Sequence, residues 1–496
     1  MLSLSRFQGR LAYKWWVMLT VALGMLMSMM DSTIVNIAIP QMQRAFAASL
    51  HDVQWITTIY MITQAIVIPL APYLTTLLGA KRAYLWSLSS FLVGSVLCGC
   101  AWNLSSLIVF RCLQGIGGGV LLPMVMILQM QAFPYEERGK AGSVMGLALM
   151  VAPTLGPFLG GYLVGSFGWQ WAFFINIPLG IIAVILAQQV LKPVEGQAGT
   201  RFDSGGFLAS ACGTALLLYA APDMITNGPT IWNTLLLVGS FISLALFVAL
   251  ERRLIHQGRM PLLDLRRFHD RAFTFSVLTQ ILIFFVWFGV LFLLPIYLQA
   301  LHQETPLQAG IIQGAISLAT LIVLPIGGWI ADRIGPRAAV IPGLLLLAGA
   351  LAALVMLALD TPIWILVCLF LFLGAANAMT NQVGVSALSQ IKKEEGQAIA
   401  NASTLLSVLR ATAAPLGVAI IASFVQIRSQ HFQQTFVEQG LSKVTLLRQS
   451  ELLALHDSFL LAAFLILIAF GTMCCVPRLR GRWIPASTRN PSSTVD

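Results

Sequence analysis

Asp31 is the residue most clearly placed to do chemistry, because it lies near the middle of an apolar stretch that runs from Trp15 to Pro40. A charge at that depth in a membrane costs at least about 2.5 kcal/mol, and ionisable residues there usually have a function. Burial disfavours the charged form of a carboxyl group, which can then bind and release a proton. We interpret Asp31 as a proton-binding residue at which a basic substrate competes with the proton. The alternative is a carboxylate that neighbouring polar side chains hold for packing.

Arg111 is the second candidate, and it lies in a different apolar stretch, three residues before Gln114. That spacing puts both side chains on one face of a helix. A guanidinium group is always charged and needs a partner or a water-filled cavity inside a membrane. Asp31 is the deep acidic side chain that can supply this partner, so we predict that Arg111 pairs with it and modulates its protonation. The alternative is an arginine that extends to the membrane surface.

The C-terminal half of the chain offers polar residues but no buried acid. Asn377 and Asn381 are one helical turn apart, and Ser407 and Arg410 follow one face of the next apolar stretch. We expect these residues to line a substrate cavity, with Arg410 favouring an acidic or electron-rich group. The alternative, that they join membrane helices to one another, is equally open.

These residues must be held by membrane helices, because the 496-residue chain is 58% hydrophobic and only 10% charged. About 20 apolar residues are needed to cross a bilayer as a helix, and runs of this size recur along the whole chain. The sequence therefore predicts an all-α, polytopic membrane protein with fourteen spans. We place them at 15–37, 54–77, 82–101, 105–130, 141–165, 170–190, 205–222, 231–250, 273–298, 307–331, 338–358, 363–388, 399–425 and 457–476.

The net charge of +10 is explained by membrane topology. With the N-terminus in the cytoplasm, 23 of the 29 Lys and Arg residues fall on the cytoplasmic side of the predicted spans. This is the bias expected for membrane proteins, and the basic segments would face anionic lipid. We therefore expect both termini in the cytoplasm, the lipid bilayer as a partner, and no nucleic acid.

Several classes of protein lack support in the sequence. No GxxxxGK[ST] motif is present, which argues against a nucleotide-driven pump. The six histidines are scattered singly, no HExxH motif occurs, and the seven cysteines form no CxxC pair, which argues against a membrane-embedded transferase and against a metal or other cofactor. A proton gradient is the expected energy source. A sensor that does not transport remains a remote alternative.

An internal repeat indicates two related halves. GWIADRIGPR at 328–337 has a degenerate copy, PYLTTLLGAKR, at 72–82, and each follows the second helix of a six-helix group. The predicted units are an N-terminal six-helix bundle (1–200), two inserted helices with a basic connector (201–260), a C-terminal six-helix bundle with an external loop at 426–456 (261–476), and a disordered cytoplasmic tail (477–496).

Four strings in order resemble the major facilitator superfamily, and specifically its fourteen-helix drug:proton antiporter group of the EmrB/QacA type. They are MDSTIVNIAIP at 30–40, RCLQGIG at 111–117, PTLGPFLGG at 153–161 and WQWAFFINIP at 169–178. The resemblance covers about residues 15–476. It implies the major facilitator fold and supports roles in proton transfer for Asp31 and Arg111.

The resemblance also implies gating roles for two segments. In the family, the motif at 153–161 distinguishes exporters from importers and seals one side of the cavity. For the turn at 328–337, we interpret its charged residues as pairs that latch the inner gate. The structural alternative for the first segment is a packing face of small residues. For the second segment it is a role of the basic residues in setting the membrane topology. The predicted gating residues are Pro153, Gly156, Pro157, Gly160, Gly161, Asp332, Arg333 and Arg337.

The sequence thus predicts a proton-coupled exporter that works by alternating access in the inner membrane of a bacterium. Its expected substrates are amphipathic or hydrophobic small molecules. The alternative is an exporter of acidic lipophiles, such as fatty acids or an endogenous antibiotic, that uses Arg410. A periplasmic adaptor and an outer-membrane channel are possible partners of the external segment at 426–456.

Overall fold

A computed structural model describes residues 13–133, 145, 155–193, 203–257, 265–388, 396–437 and 443–476. The predicted disordered tail (477–496), Pro153 and part of the basic connector (258–264) lie outside these residues.

A first group of helices packs around α1. Its members are α1 (Tyr13–Ala45), α2 (Leu50–Val67), α3 (Ala71–Leu78), α4 (Ala80–Gly99), α5 (Leu104–Ala132), α6 (Leu155–Phe167), α7 (Trp171–Phe174) and α8 (Asn176–Val190). Helix α1 contacts α2, α5 and α8, and α4 packs on both α5 and α8. Helix α5 begins at a capping box, in which the Asn103 side chain accepts the Ser106 backbone N–H and the Ser106 hydroxyl receives the Asn103 N–H.

A second group forms from the last part of the chain. Its members are α11 (Arg271–Ile296), α12 (Pro306–Ile334), α13 (Pro336–Ala353), α14 (Ile363–Thr380), α15 (Val383–Leu388), α16 (Gly396–Val437) and α17 (Lys443–Cys474). Helix α11 packs against α16 and α17, and α14 packs against α12 and α13. The π-helical turn Tyr297–Leu301 extends α11 before α12 begins.

Two further helices, α9 (Ser204–Asn227) and α10 (Ile231–His256), pack mainly on each other. Helix α9 contacts α2 of the first group and α16 of the second group. Only 17% of the central residues of α10 are buried, although this helix is strongly apolar. An apolar surface exposed to this extent is expected to face lipid.

Twelve helices in the described residues are long and apolar enough to cross a membrane. The remaining two predicted spans, 82–101 and 141–165, overlap α4 and α6. Helix α4 is not among the twelve: it begins with Ala-Lys-Arg and contains four serines, which lower its mean hydropathy. Helix α6 is not among them because its described part is short. The all-helical prediction is thus confirmed with twelve candidate spans, whereas the number fourteen and the cytoplasmic termini are not.

The segment at 426–456, predicted as an external loop, is helical in its described residues: α16 continues to Val437 and α17 begins at Lys443. The 42 residues of α16 span about 63 Å, twice the thickness of the hydrocarbon core of a bilayer. Helix α16 is therefore long enough to continue beyond a bilayer into the polar segment that begins at 426. A salt bridge of 2.6 Å between Nε of Arg428 and Oδ2 of Asp457 joins α16 to α17.

The two groups of helices contact each other where α2 packs on α16 and also at the end of the molecule where α1 stops and α12 begins, which we call the distal end. Helices α1 and α11 begin at the opposite, proximal end. Nε2 of Gln299 donates to the carbonyl oxygen of Ile37 at 2.8 Å. Gly161 of α6 is packed against Pro306 at the start of α12. The distal end is therefore closed in this conformation.

Candidate functional site

Asp31 lies at the centre of a polar network inside the first group of helices. One carboxylate oxygen, Oδ2, accepts a hydrogen bond of 2.6 Å from Nη1 of Arg111. The other, Oδ1, accepts from Nε2 of Gln114 at 2.9 Å and from Nδ2 of Asn176 at 2.8 Å. Both charged side chains are 0% exposed. The predicted pairing of Asp31 with Arg111 is thus present, together with two amide donors.

The Arg111 guanidinium group is held from several sides. Nε donates to the carbonyl oxygen of Ile56 at 3.0 Å, and Nη1 also donates to Oε1 of Gln114 at 2.6 Å. Its Cζ lies 4.0 Å from the centre of the Tyr60 ring, a distance at which a cation is attracted to the aromatic face. Nη2 has no hydrogen-bond partner. Arg111 is therefore a buried partner of Asp31, and the alternative of a side chain that extends to the surface is wrong for this structure.

A serine on α4 completes the network. Oγ of Ser95 accepts a hydrogen bond of 2.8 Å from Nε2 of Gln114 and lies 3.4 Å from Nδ2 of Asn176. The five side chains that meet here come from α1, α4, α5 and α8, since Asn176 is the first residue of α8. A continuous path of polar groups thus links the carboxylate to helices on all sides of it.

Glycine residues let the helices approach closely enough to form the network. A Cβ atom added at Gly94 of α4 would lie 2.5 Å from Cα of Gln114, and one added at Gly117 of α5 would lie 2.6 Å from the carbonyl oxygen of Ser87. Real Cβ atoms do not approach other atoms so closely, so either substitution would push α4 and α5 apart. The glycines of the RCLQGIG string and its surroundings therefore position Gln114.

The described part of the PTLGPFLGG motif lies between the two groups of helices. Gly156 packs against Thr33, and Gly160 packs against Ile34, both on α1 just after Asp31. On the other side of α6, Pro157 contacts Gly310 at the start of α12. The motif thus connects the helix that carries Asp31 with the second group of helices.

Arg410 is also inside a bundle, but it lacks an ionic partner. Its Cζ lies 5.3 Å from the centre of the Phe284 ring on α11, and its buried Nε has no hydrogen-bond partner. Within the described residues, Arg410 forms neither an ion pair nor a hydrogen bond. This arginine therefore remains available to a group that the protein itself does not supply.

The other predicted residues of the C-terminal half have simpler surroundings. Asn377 is half-buried and Asn381 is exposed, and Nδ2 of Asn381 donates to the carbonyl oxygen of Asn377 at 3.1 Å. Oγ of Ser407 donates to the carbonyl oxygen of Ser403 on its own helix at 2.9 Å. None of these described contacts joins two helices.

The predicted latch residues have partners other than a carboxylate. Arg333 is exposed, with its Cζ 4.4 Å from the centre of the Trp329 ring. Nη2 of Arg337 donates to the carbonyl oxygen of Cys474 at 2.8 Å, where a cation stabilises the C-terminal end of α17. The side chain of Asp332 lies outside the described part of the structure.

Metal binding has no support in the part of the chain that the structure describes. No group of three His, Cys, Asp or Glu side chains there is arranged to hold a metal ion. The arrangement at Asp31 is a buried carboxylate that one arginine and two amides hold in place.

The comparison with protein families decides the class of the protein. The Major Facilitator Superfamily model matches residues 21–414 and 276–470, which is most of the chain. The chain belongs to the Major Facilitator Superfamily.

Curated members of this superfamily are similar to the chain at about one third identity. A multidrug resistance protein B homolog from Mycobacterium tuberculosis is 34% identical over 334 residues, which are 66% of this chain and 61% of that protein. The riboflavin transporter RibZ from Clostridioides difficile is 31% identical over 452 residues, which are 90% of this chain and 96% of that protein. The chain thus spans about three fifths of the first relative and nearly all of the second.

Solved structures agree on the superfamily fold. A bacterial homolog of the human lysosomal transporter Spinster, in an inward-facing and unoccupied conformation, superposes with a TM-score of 0.67 at 14% identity. The superposition covers 96% of this chain and 100% of that one. The similarity to multidrug relatives supports membership of the superfamily and no narrower group. The chain is a multi-pass membrane protein of a transporter family.

Sequence reasoning did not assign a role to Asn176 or to Ser95. Asn176 lies in the WQWAFFINIP string at 169–178, and 145 residues separate it from Asp31. Asparagine and serine are common in membrane helices, so their types alone give no signal. The position of Asn176 at the start of an apolar stretch, next to the Pro178 that permits a helix start, was the available clue.

Proposed function

We propose that the protein is a proton-coupled secondary active exporter of amphipathic or hydrophobic small molecules, in which Asp31 binds the coupled proton. The observation that carries this proposal is the buried network of Asp31 with Arg111, Gln114 and Asn176. A carboxylate at membrane depth that is bound on both oxygens responds strongly to protonation, because a proton removes the charge that all three donors share.

The packing around α6 supports a route from the proton to the gate. Protonation of Asp31 would weaken its bonds to α5 and α8 and free α1 to move. Thr33 and Ile34 of α1 lie against Gly156 and Gly160, and the opposite side of α6 lies against α12. Movement of α1 would therefore be transmitted to the contact that closes the distal end.

The burial of the network changes one expectation about the substrate. Asp31 is sealed from solvent, and both of its oxygens are occupied by protein donors. A basic substrate does not reach it in this conformation. We therefore propose that proton and substrate act on one another through the conformation of α1 rather than by direct competition.

The topology that we propose has fourteen spans, both termini in the cytoplasm, and the distal end facing outward across the inner membrane of a bacterium. A proton that crosses a potential of 100 mV releases about 2.3 kcal/mol, which supports roughly fiftyfold accumulation of substrate for each proton. The proposal needs no cofactor and no chemical reaction. A periplasmic adaptor with an outer-membrane channel is the proposed partner class of the helical segment at 426–456.

A second candidate function is the export of acidic lipophiles. The observation that favours it is Arg410, an arginine of the C-terminal half without an ionic partner in the described residues. The relatives named for multidrug resistance and for riboflavin show that transporters at this level of similarity differ in substrate. Their names leave the choice between the two candidates open.

Asp31→Asn tests the proposal in proteoliposomes that contain the purified protein. We expect a proton gradient to drive accumulation of an amphipathic fluorescent dye by the wild type and not by Asp31→Asn, because the amide cannot carry a proton. The matched control is Asp223→Asn at the end of α9, where the carboxylate is bonded to Asn227 and Asn233. Gradient-driven accumulation by Asp31→Asn at the wild-type rate would contradict the proposal.

A further inference from the structure

The charge balance inside the second group of helices is incomplete near Arg410. The guanidinium group lies between α11, α15 and α16, and within the described residues it has no carboxylate partner and no hydrogen bond. Arg410 is half-buried, and its Nε is buried without a hydrogen-bond partner. An arginine at membrane depth without an acceptor suits a ligand or substrate that supplies the missing charge. Arg410 therefore points to an anion that the protein does not contain.

A second polar side chain is directed at the same place. Gln280 of α11 is 3% exposed, and its Oε1 has no hydrogen-bond partner. A Cβ atom added at Gly384 of α15 would overlap Nη2 of Arg410 and would lie 3.5 Å from Nε2 of Gln280. Nη2 of Arg410 and Nε2 of Gln280 thus lie near the same point beside Gly384, and no hydrogen bond to a described residue is formed by either nitrogen.

The absence of a side chain at Gly384 is what leaves room for this convergence. Any larger residue would place an atom on the Arg410 guanidinium group, which would have to turn away. The glycine therefore lets the Arg410 guanidinium group lie directly against the backbone of α15, near Gln280.

The apolar surroundings indicate what the rest of the ligand looks like. The Phe284 ring lies against the guanidinium group, and the centres of the Phe284 and Phe288 rings are 5.9 Å apart, with their planes at 32°. Both rings are partly exposed. They form an aromatic wall on α11 next to the donors, which suits a flat apolar group.

We propose that Arg410 and Gln280, beside Gly384, form a subsite for a single carboxylate or similar planar anion whose aromatic body packs on Phe284 and Phe288. A guanidinium group binds a carboxylate through two parallel N–H donors, which a lysine cannot reproduce. The substrate class of this transporter is then an amphipathic aromatic acid. The inference rests on the proposed function only in taking this anion to be part of the transported molecule.

The subsite is separate from the proton network. Asp31, Arg111, Gln114 and Asn176 all belong to the first group of helices, whereas Arg410, Gln280 and Gly384 belong to the second. Proton and anion would therefore bind in different halves of the molecule. A negatively charged substrate that binds beside Arg410 avoids the repulsion that a carboxylate would meet at Asp31.

Binding without any gradient tests the subsite. We would titrate the purified protein in lipid nanodiscs with 2-naphthoate, its neutral amide 2-naphthamide and the cation 2-naphthylmethylammonium, using calorimetry with empty nanodiscs as the reference. We expect the wild type to bind 2-naphthoate about tenfold or more tightly than the amide. Equal binding of acid and amide, or binding of neither, would overturn the subsite.

Variants assign the preference to the named residues. Arg410→Gln should remove the preference for the acid, Arg410→Lys should recover only part of it, and Gly384→Ala should weaken it by turning the guanidinium group. The matched control is Arg428→Gln, on the same helix, where the arginine also lies over a phenylalanine ring but is paired with Asp457. An unchanged preference in Arg410→Gln, or an equal loss in Arg428→Gln, would overturn the assignment.

The two proposals fail in distinguishable ways, because the titration involves no proton gradient. Loss of the anion preference together with intact gradient-driven transport of the dye would overturn the subsite alone. An anion preference that depends on Arg410, in a protein whose transport ignores the proton gradient, would overturn the proposed function alone.

Discussion

Two arginines inside the helix bundles have opposite surroundings. Arg111 in the first group of helices has a carboxylate at 2.6 Å, an amide oxygen at 2.6 Å and a backbone carbonyl oxygen at 3.0 Å. Arg410 in the second group has an aromatic ring and, in the described residues, no acceptor at all. One half of the molecule thus carries an arginine paired with a carboxylate, and the other carries an arginine without an acceptor in the described residues.

This difference teaches how two groups of helices can divide two tasks. A buried pair of arginine and carboxylate holds its helices together until a proton changes the charge of one member, which suits a coupling site. An arginine without an acceptor can receive one from outside, which suits a binding site. The placement of acceptors around the two arginines makes the two groups different.

The sharpest comparison between the two arginines is their contribution to stability. Arg111→Gln leaves the Asp31 carboxylate buried without its cation, and breaking a buried pair in this way costs about 3–5 kcal/mol. Arg410→Gln removes a charge that has no partner in the described residues, so we expect no loss of stability. Thermal unfolding in detergent, followed by tryptophan fluorescence, measures both. A large loss in Arg410→Gln would show that this arginine has a structural partner.

The amide side chains around Asp31 allow a finer test of what stabilises its carboxylate. Asn176→Leu keeps most of the volume but removes the donor that bonds Oδ1 of Asp31 at 2.8 Å. The loss of a partner at a buried acceptor costs about 1–3 kcal/mol, and more when the acceptor is charged. Asn381→Leu is the matched control, because the Asn381 amide is exposed and bonds only its own helix. Equal unfolding temperatures of the two variants would show that Asn176 does not support the carboxylate.

The contact that joins the two halves can be weakened at one glycine. Gly310→Ala would place a methyl group on the carbonyl oxygen of Pro157, and overpacking of this kind costs about 1–3 kcal/mol. We expect the distal end to open, so that a cysteine introduced as Ile37→Cys reacts faster with a membrane-impermeant maleimide. Gly314→Ala, on the same helix with open space around it, is the control. Unchanged labelling in Gly310→Ala would remove the α6–α12 contact from the gate.

The sequence was sufficient to predict the pairing of Asp31 with Arg111, because few charges lie deep in the apolar stretches and each needs a partner. It also placed Gln114 on the same helix face as Arg111, since a spacing of three residues fixes that face. That the Gln114 amide bonds Asp31 is a finding of the structure. The two predicted features depend on local spacing and on the high cost of charge in a membrane, and both can be read along the chain.

Other features depend on which helices meet, and the sequence alone does not specify that. Asn176 reaches Asp31 because α8 packs on α1, and Gly384 meets Arg410 because α15 packs near α16. The absence of a partner for Arg410 is likewise a property of three helices together, which a reading of one helix cannot supply.

A third arginine gives the smallest expected effect and sets the lower limit of the comparison. Arg428 pairs with Asp457 at 2.6 Å, but the two side chains are 34% and 29% exposed, so water competes for both charges. Exposed pairs contribute about 0–1 kcal/mol, and we expect Arg428→Gln to lower the unfolding temperature only slightly. High salt should remove even this difference, whereas the loss in Arg111→Gln should persist, because salt screens exposed charges far more than buried ones. A salt-independent loss at Arg428 of the size expected for Arg111 would mean that pairing alone, rather than burial, sets the contribution of these arginines.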